Sequence, residues 1–267
     1  MLVSGNSIYV GDSAITKVYQ GEDLVWPTTP TPSEPDWLTF TILSGGTINN
    51  HHEGTQSVYM NAQYSKNGNE WKTFNSSLSV EAGDVIRLRG EGSWEGASNY
   101  YWTELGNPDR YYANNFSGST AVFDISGSLL SMEYGSGFTG QTETAMPDGG
   151  FRQLFKYTNV HSAKNLILPQ TQSGTSNSIF YGFFEGCSSL TSIPVISNNV
   201  FNMDCRSMFE ECSSLNYIKC LAESDTTINC TYWTRLVSPT GTFVKSANAN
   251  WVRGINGIPN NWTIINE

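Results

Sequence analysis

Few side chains in this sequence stand at spacings that do chemistry. The run Gly135-Ser136-Gly137-Phe138-Thr139-Gly140 has the G-x-G-x-x-G spacing with which backbone N–H groups cradle a phosphate, but that use needs a strand before it and a helix N-terminus after it. Here it leads into Gln141-Thr142-Glu143-Thr144-Ala145-Met146-Pro147, so a turn is expected. The histidines are His51, His52 and His161, and none has a Cys, Asp or further His at ligand spacing, which argues against a metal site. No G-x-S-x-G turn and no plausible Cys and His pair supplies an activated nucleophile. Glu95 and Glu104 have the residue types of a glycosidase acid and base, yet that chemistry depends on a carboxylate separation the sequence does not set. No catalytic residue and no cofactor is expected, and a glycan-active enzyme is the weakest of three readings.

Binding chemistry is better represented. Trp94, Tyr100, Tyr101 and Trp102, followed by Tyr111 and Tyr112, alternate with Glu95, Asn99, Glu104, Asp109 and Asn114. Aromatic faces beside carboxylates and amides suit a sugar, whose C–H face stacks while its hydroxyls take hydrogen bonds. The same residue types anchor protein interfaces or cover the end of a sheet, so glycan stacking and an interface both stay open for these six aromatics.

The composition bounds the partners. The 267 residues are 38% hydrophobic and 13% aromatic, enough for packed cores, but only 14% charged with a formal net charge of −10. No Lys/Arg run is available to neutralise successive phosphates, so neither nucleic acid nor an anionic membrane is an expected partner. The start, Met1 to Gly11, has no basic n-region and no apolar h-region, and no stretch approaches the roughly 20 apolar residues that span a bilayer. The expectation is a soluble chain made in the cytoplasm, without membrane insertion. Cys187, Cys205, Cys212, Cys220 and Cys230 include no C-x-x-C pair, and an odd number cannot all pair as disulfides, so they read as small buried core residues, with disulfides between some of them left open.

The elements that would position such residues follow from internal repeats. Ile8-Tyr9-Val10-Gly11-Asp12 returns ten residues later as Val18-Tyr19-Gln20-Gly21-Glu22-Asp23, each copy being two β-prone runs about a turn. Residues 1–26 are therefore expected to form small hairpins that dock on a partner through Tyr9, Tyr19, Leu24 and Trp26, because so short a segment cannot bury its own core. Residues 27–36 contain Pro27, Pro30, Pro32 and Pro35 and read as a semi-rigid polyproline spacer. Residues 37–125 show period-two alternation in 37–42, 57–64, 70–74, 77–80, 84–89 and 120–125, with Asn67-Gly68 as a tight hairpin turn and Glu81-Ala82-Gly83-Asp84 as a second one. A small antiparallel sandwich or barrel is favoured there, β-sandwich-like in outline.

The remaining part, 126–267, repeats at a longer period. Phe183-Phe184-Glu185-Gly186-Cys187-Ser188-Ser189-Leu190 returns 25 residues later as Met208-Phe209-Glu210-Glu211-Cys212-Ser213-Ser214-Leu215, and a looser copy runs from Leu154 to Pro169. A period of 20 to 29 residues with Leu and Ile at fixed offsets predicts a short leucine-rich solenoid, each unit adding a short strand and a helical or turn segment. The fold class is thus mainly β with minor α: an N-terminal docking hairpin segment, a β-sandwich-like domain and a C-terminal repeat solenoid with a cap.

The phrase Met-Phe-x-x-Cys-Ser-Ser-Leu, the ending Gly241-Thr242-Phe243-Val244-Lys245 with Gly257-Ile258-Pro259-Asn260-Asn261-Trp262-Thr263, and Phe138-Thr139-Gly140-Gln141 resemble BspA-type leucine-rich repeat proteins of gut Bacteroidales and their phages. The resemblance covers roughly residues 37–267 and is tightest from about 125 onward. Val18 to Pro27 resembles the N-terminal segment of many phage tail and virion proteins. Together they imply a virion protein (fibre, capsid decoration or tail-associated) that docks on other virion proteins through its N-terminus and displays a domain for adhesion to a host-surface glycan or protein. A homo-oligomer is expected, a trimer if the protein is a fibre. The alternative is a bacterial cell-surface adhesin of the same family. The family supplies no catalytic residue to carry over.

Overall fold

The computed structural model describes residues 35–52, 60–90, 114–144, 151–171, 179–197, 205–222 and 230–267, together with the backbone of 2–4, 7–10, 13–15, 18–20 and 23–26. The chain is mainly β and divides into two compact units, 1–35 and 36–267.

In the first unit, strands β1 (Leu2–Ser4), β2 (Ser7–Val10) and β3 (Ser13–Ile15) form an antiparallel sheet, and β4 (Val18–Gln20) pairs with β5 (Asp23–Trp26). The ten-residue echo is visible as two hairpins, β2–β3 and β4–β5, with β1 added at one edge.

The second unit opens with β6 (Leu38–Ser44), β7 (Gly46–Asn49) and β8 (His51–His52), then β9 (Ala62–Lys66), β10 (Lys72–Thr73), β11 (Ser77–Val80), β12 (Val85–Gly90), β13 (Asn114–Asn115) and β14 (Val122–Ser128). After the single short helix among the described residues, α1 (Leu130–Tyr134), come β15 (Glu143–Thr144), β16 (Val160–Ile167), β17 (Gln170–Thr171), β18 (Tyr217–Cys220), β19 (Thr242–Lys245) and β20 (Thr263–Asn266). Six of these make one sheet in the order β10-β9-β12-β6-β14-β16, and a two-stranded β7–β11 sheet accompanies it. Alternation decides the buried face: Leu38, Phe40 and Ile42 point inward from β6, Ile86 and Leu88 from β12, Phe123 and Ile125 from β14. Pairing up to β14 is antiparallel, as the turn chemistry requires; Asn67 and Gly68 hold φ of 56° and 77° in the turn from β9 to β10. The pairing of β14 with β16 is parallel. Strand β14 runs through position 125/126, so the two stretches that differ in sequence pattern share one sheet and one hydrophobic core.

Asp84 staples the two turns between β9 and β12. Its carboxylate accepts from the Glu81 N–H at 2.7 Å and from Asn67 Nδ2 at 2.8 Å and pairs with Lys66 at 2.7 Å. These partners, the Glu81 N–H foremost, hold its pKa down at about 2. A depressed carboxylate contributes stability above its unfolded pKa and loses it as pH falls through the folded value. The melting-temperature difference between the unaltered chain and Asp84→Asn is therefore expected to be full at pH 5 and to shrink between about pH 4 and pH 2. An unchanged difference across that window would show that the carboxylate's charge is not what holds the turns.

Beyond β14 the chain is organised by turns. Four segments, 151–158, 179–187, 205–212 and 230–237, are ribbons of consecutive i→i+3 turns, such as Phe183 N–H to Phe180 O at 3.2 Å and Glu185 N–H to Gly182 O at 3.0 Å. Alternate N–H groups are left to bond the next ribbon. Gln153, Phe155 and Tyr157 donate to Tyr181, Phe183 and Glu185; Gly182, Phe184 and Gly186 donate to Arg206, Met208 and Glu210; Ser207, Phe209 and Glu211 donate to Thr231, Trp233 and Arg235, all at 2.7 to 3.0 Å. The result is a ladder in which every rung is backbone. Positive φ recurs at the same two places in each ribbon, at Gln153 and Tyr157, Gly182 and Gly186, Ser207 and Glu211, Tyr232 and Leu236. Both ends are covered: Phe116 N–H and Ser117 Oγ reach Leu154 O and Lys156 O, while the Asn256 side chain and Ile255 O receive the N–H groups of Tyr232 and Thr234.

Inside the ladder the repeat becomes an aromatic column. Phe116, Phe155, Phe184 and Phe209 lie face to face, with centroids 5.5, 5.6 and 6.0 Å apart, and Phe40 of the sheet meets both Phe116 and Phe155. Opposite the ladder, Ser192 bridges to Ser162 of β16, Ile196 to Cys220, and β18, β19 and β20 follow in parallel.

All five cysteines are buried and free. Cys187 Sγ donates to Phe155 O at 2.9 Å and Cys212 Sγ to Phe184 O at 3.1 Å, so each thiol bonds the preceding ribbon. Burial pushes the Cys187 thiol up to about 11 and those of Cys212 and Cys220 upward as well. A disulfide-exchange reagent at pH 8 is expected to leave these thiols unreacted in the folded chain and to titrate all five after denaturation. Fast reaction before unfolding would contradict that burial.

Candidate functional site

The outward side of the turn ladder carries the densest set of recognition side chains among the described residues. Because consecutive ribbons are in register, residues at equivalent positions stand over one another as columns, about 4.8 Å apart as in any backbone-paired layer. One column reads Arg152, Tyr181, Arg206. The guanidinium carbon of Arg152 lies 4.0 Å from the centroid of the Tyr181 ring and that of Arg206 lies 5.1 Å from it. Since the ribbon of Tyr181 lies between the other two, the cations approach from opposite sides. The ring quadrupole attracts both.

The adjoining column reads Lys156, Glu185, Glu210, Arg235 and carries its charges as pairs, Lys156 with Glu185 at 3.4 Å and Arg235 with Glu210. Beside it Tyr157 and Tyr232 stand half exposed, each with a cation near its face, Lys156 at 5.2 Å and Arg235 at 5.5 Å. Burial and then the Glu185 carboxylate push the Tyr157 phenol up, so it stays protonated and able to donate. Leu236 extends the same surface at 59% exposure, beside a shallow groove of about 190 Å³ lined in part by Val237, Pro239, Ile255 and Asn260.

A second cluster lies on the outward face of the sheet. Arg89 of β12 stacks on Trp71 at 4.2 Å and reaches Trp37 at 5.9 Å, its Nε bonded to Gln63 at 2.8 Å, while Trp37 meets Trp71 edge-on at 5.3 Å and Phe138 at 5.9 Å. The arrangement fixes the sheet face immediately before the aromatic-rich stretch that follows Gly90.

Trp94, Tyr100, Tyr101, Trp102, Tyr111 and Tyr112 lie outside the described residues. Tyr9 is placed on β2, Tyr19 on β4, and Leu24 and Trp26 on β5, as backbone positions in the hairpins. Gly135 to Gly137 form a 3-10 turn after α1, in keeping with the expected turn in place of a phosphate loop. His161 does acquire a carboxylate neighbour that linear spacing concealed: its Nδ1 lies 3.0 Å from Asp124 Oδ1, because β14 and β16 are adjacent. Among the described residues no three His, Cys, Asp or Glu side chains converge as metal ligands, and no helix is long and apolar enough to cross a membrane. The ladder columns could be found in the sequence only by aligning the repeats: Tyr181 and Arg206 each stand two residues before the aligned Phe183 and Met208.

Comparison with protein-family models, with curated proteins and with solved structures found no match.

Proposed function

We propose that the chain is a structural component of a bacteriophage particle, a fibre, capsid-decoration or tail-associated protein, which docks through residues 1–26 and displays the body beyond them for recognition of a host surface. The observation that carries this reading is the division of the chain into a 1–35 unit whose described residues form strands three or four residues long and a 36–267 unit with an extensive core. Short hairpins are marginal in water and gain stability from a surface to pack on. The prolines of 27–35, at the end of the first unit, suit a spacer. The body, in this reading, is a β-sandwich-like part followed by a short BspA-like repeat solenoid whose covered ends keep it from growing by end-to-end pairing.

The ladder face is the surface such a protein would turn outward, and the residue types of Trp94 to Tyr112 suit glycan or interface contacts; neither needs catalysis to act. A phage encoding the chain without residues 1–26 is expected to assemble particles that lack this protein. Its incorporation at the level of the full chain would overturn docking through that segment, and its recovery from bacterial envelopes in place of particles would favour a surface adhesin.

A further inference from the structure

We infer that Tyr157 and Tyr232 are two stacking platforms for a neutral, β-linked glycan laid along the turn ladder. This rests on the display reading above and names the ligand that the ladder face would take. The two residues are 52% and 46% exposed, and neither phenol oxygen bonds another group among the described residues. Backbone rungs fix where they stand. Tyr157 belongs to the first ribbon and Tyr232 to the fourth, so three rungs of about 4.8 Å each put about 14 Å between their levels. Gly186 leaves room for the first of them: a Cβ there would fall on the Tyr157 ring, so at that rung the ring takes the place of a side chain. The spacing is therefore set before any ligand arrives.

The charges beside the rings select an uncharged ligand. Lys156 lies 5.2 Å from the Tyr157 centroid and Arg235 lies 5.5 Å from that of Tyr232, so each ring already faces a cation and offers little to a cationic ligand. Those two cations meet three carboxylates, with Lys156 at 3.4 Å from Glu185 and Arg235 paired with Glu210 and 4.0 Å from Glu211, so a polyanion meets excess negative charge. A neutral sugar incurs neither penalty. The ion pairs also stand between the levels of the two platforms, which breaks the apolar surface a hydrophobic peptide would need but suits a ligand that alternates C–H faces with hydroxyls. In a β-linked glucose chain the ring substituents are equatorial, which leaves both faces of each ring to C–H groups. Such a chain is extended and reaches both phenols.

The test is titration of the full chain with cellohexaose, followed by saturation-transfer NMR of the sugar C–H protons, with cellobiose and hexagalacturonate as comparison ligands. The expected result is saturable binding of cellohexaose, with cellobiose, too short to touch both rings, and the charged hexagalacturonate each bound more weakly. Tyr157→Asn, which keeps a residue tolerant of positive φ, and Tyr232→Ala are each expected to weaken cellohexaose binding about three- to tenfold. Tyr217→Ala removes a phenol 45% exposed on β18, outside the ladder, and is expected to bind as the unaltered chain does. Should one ladder variant fail to fold, the other still tests the site. No binding of cellohexaose by the unaltered chain, equal or tighter binding of hexagalacturonate, or an equal effect of all three substitutions would overturn the inference. Presence in particles is read separately, so a chain found in virions that ignores the sugar overturns this inference alone.

Discussion

Phe184→Ala is expected to destabilise the body by about 3–5 kcal/mol, the range for emptying a fully buried phenylalanine site. Phe184 is the middle of the aromatic column, stacked on Phe155 at 5.6 Å and on Phe209 at 6.0 Å and met edge-on by Phe183 at 4.6 Å. Its neighbours cannot close the gap, because their ribbons are held apart by the backbone rungs, including Phe155 N–H to Phe183 O and Phe184 N–H to Met208 O. The cavity term is therefore retained in full. Denaturant unfolding checks the figure: a loss under about 1 kcal/mol would mean that the ribbons move together and that the ladder is not rigid.

Gly127→Ala is expected to cost about 3 kcal/mol or more, for two reasons that add. Gly127 lies in β14 at φ of 76°, a conformation that costs a residue with a Cβ about 1–2 kcal/mol. A Cβ there would also fall on the carbonyl of Trp37, within 3.0 Å of Asp36 O as well, and both are backbone atoms that cannot swing away. The same approach lets Ser128 N–H bond Asp36 O at 2.7 Å. The variant should therefore loosen the entry to the sheet, seen as early exchange of β6 and β14 amides. Wild-type stability for Gly127→Ala would contradict the close approach.

The strands were legible where one face is buried and the other wet. Phe40, Ile86, Leu88 and Phe123 alternate with Thr39, Arg87, Arg89 and Asp124, so period two sufficed to find β6, β12 and β14, and Asn67-Gly68 marked the turn from β9 to β10. Boundaries were less visible: the stretch expected over 57–64 contains a described strand only from Ala62, which continues to Lys66, and 120–125 corresponds to Val122–Ser128. The parallel pairing of β14 with β16 leaves no local mark, since it depends on a crossover whose ends lie far apart in the chain.

The 25-residue period was plain, but the ladder it builds was not. Left-handed backbone announces itself through Gly or Asn, and Gly182 and Gly186 do so; Gln153, Tyr157, Ser207, Glu211, Tyr232 and Leu236 adopt it because rungs on both sides impose it. The site was hidden for the same reason. Aligning the repeats puts Arg152, Tyr181 and Arg206 in one column, yet only direct pairing between ribbons, with no strand inserted between them, brings the cations onto the ring. The cysteines were easier, since odd number and the lack of a C-x-x-C pair favoured small buried core residues, and all five are buried without a disulfide.

The body carries a charged and aromatic ladder on one side, and a proline-rich segment precedes it in the chain after a unit of short hairpins. Quantitative mass spectrometry of purified particles of the phage that encodes the chain, with host envelopes measured in parallel, tests the display of that body most directly. The display reading predicts the protein at a fixed stoichiometry to a major virion protein and its absence from envelopes of uninfected cells. Its absence from particles would contradict the reading.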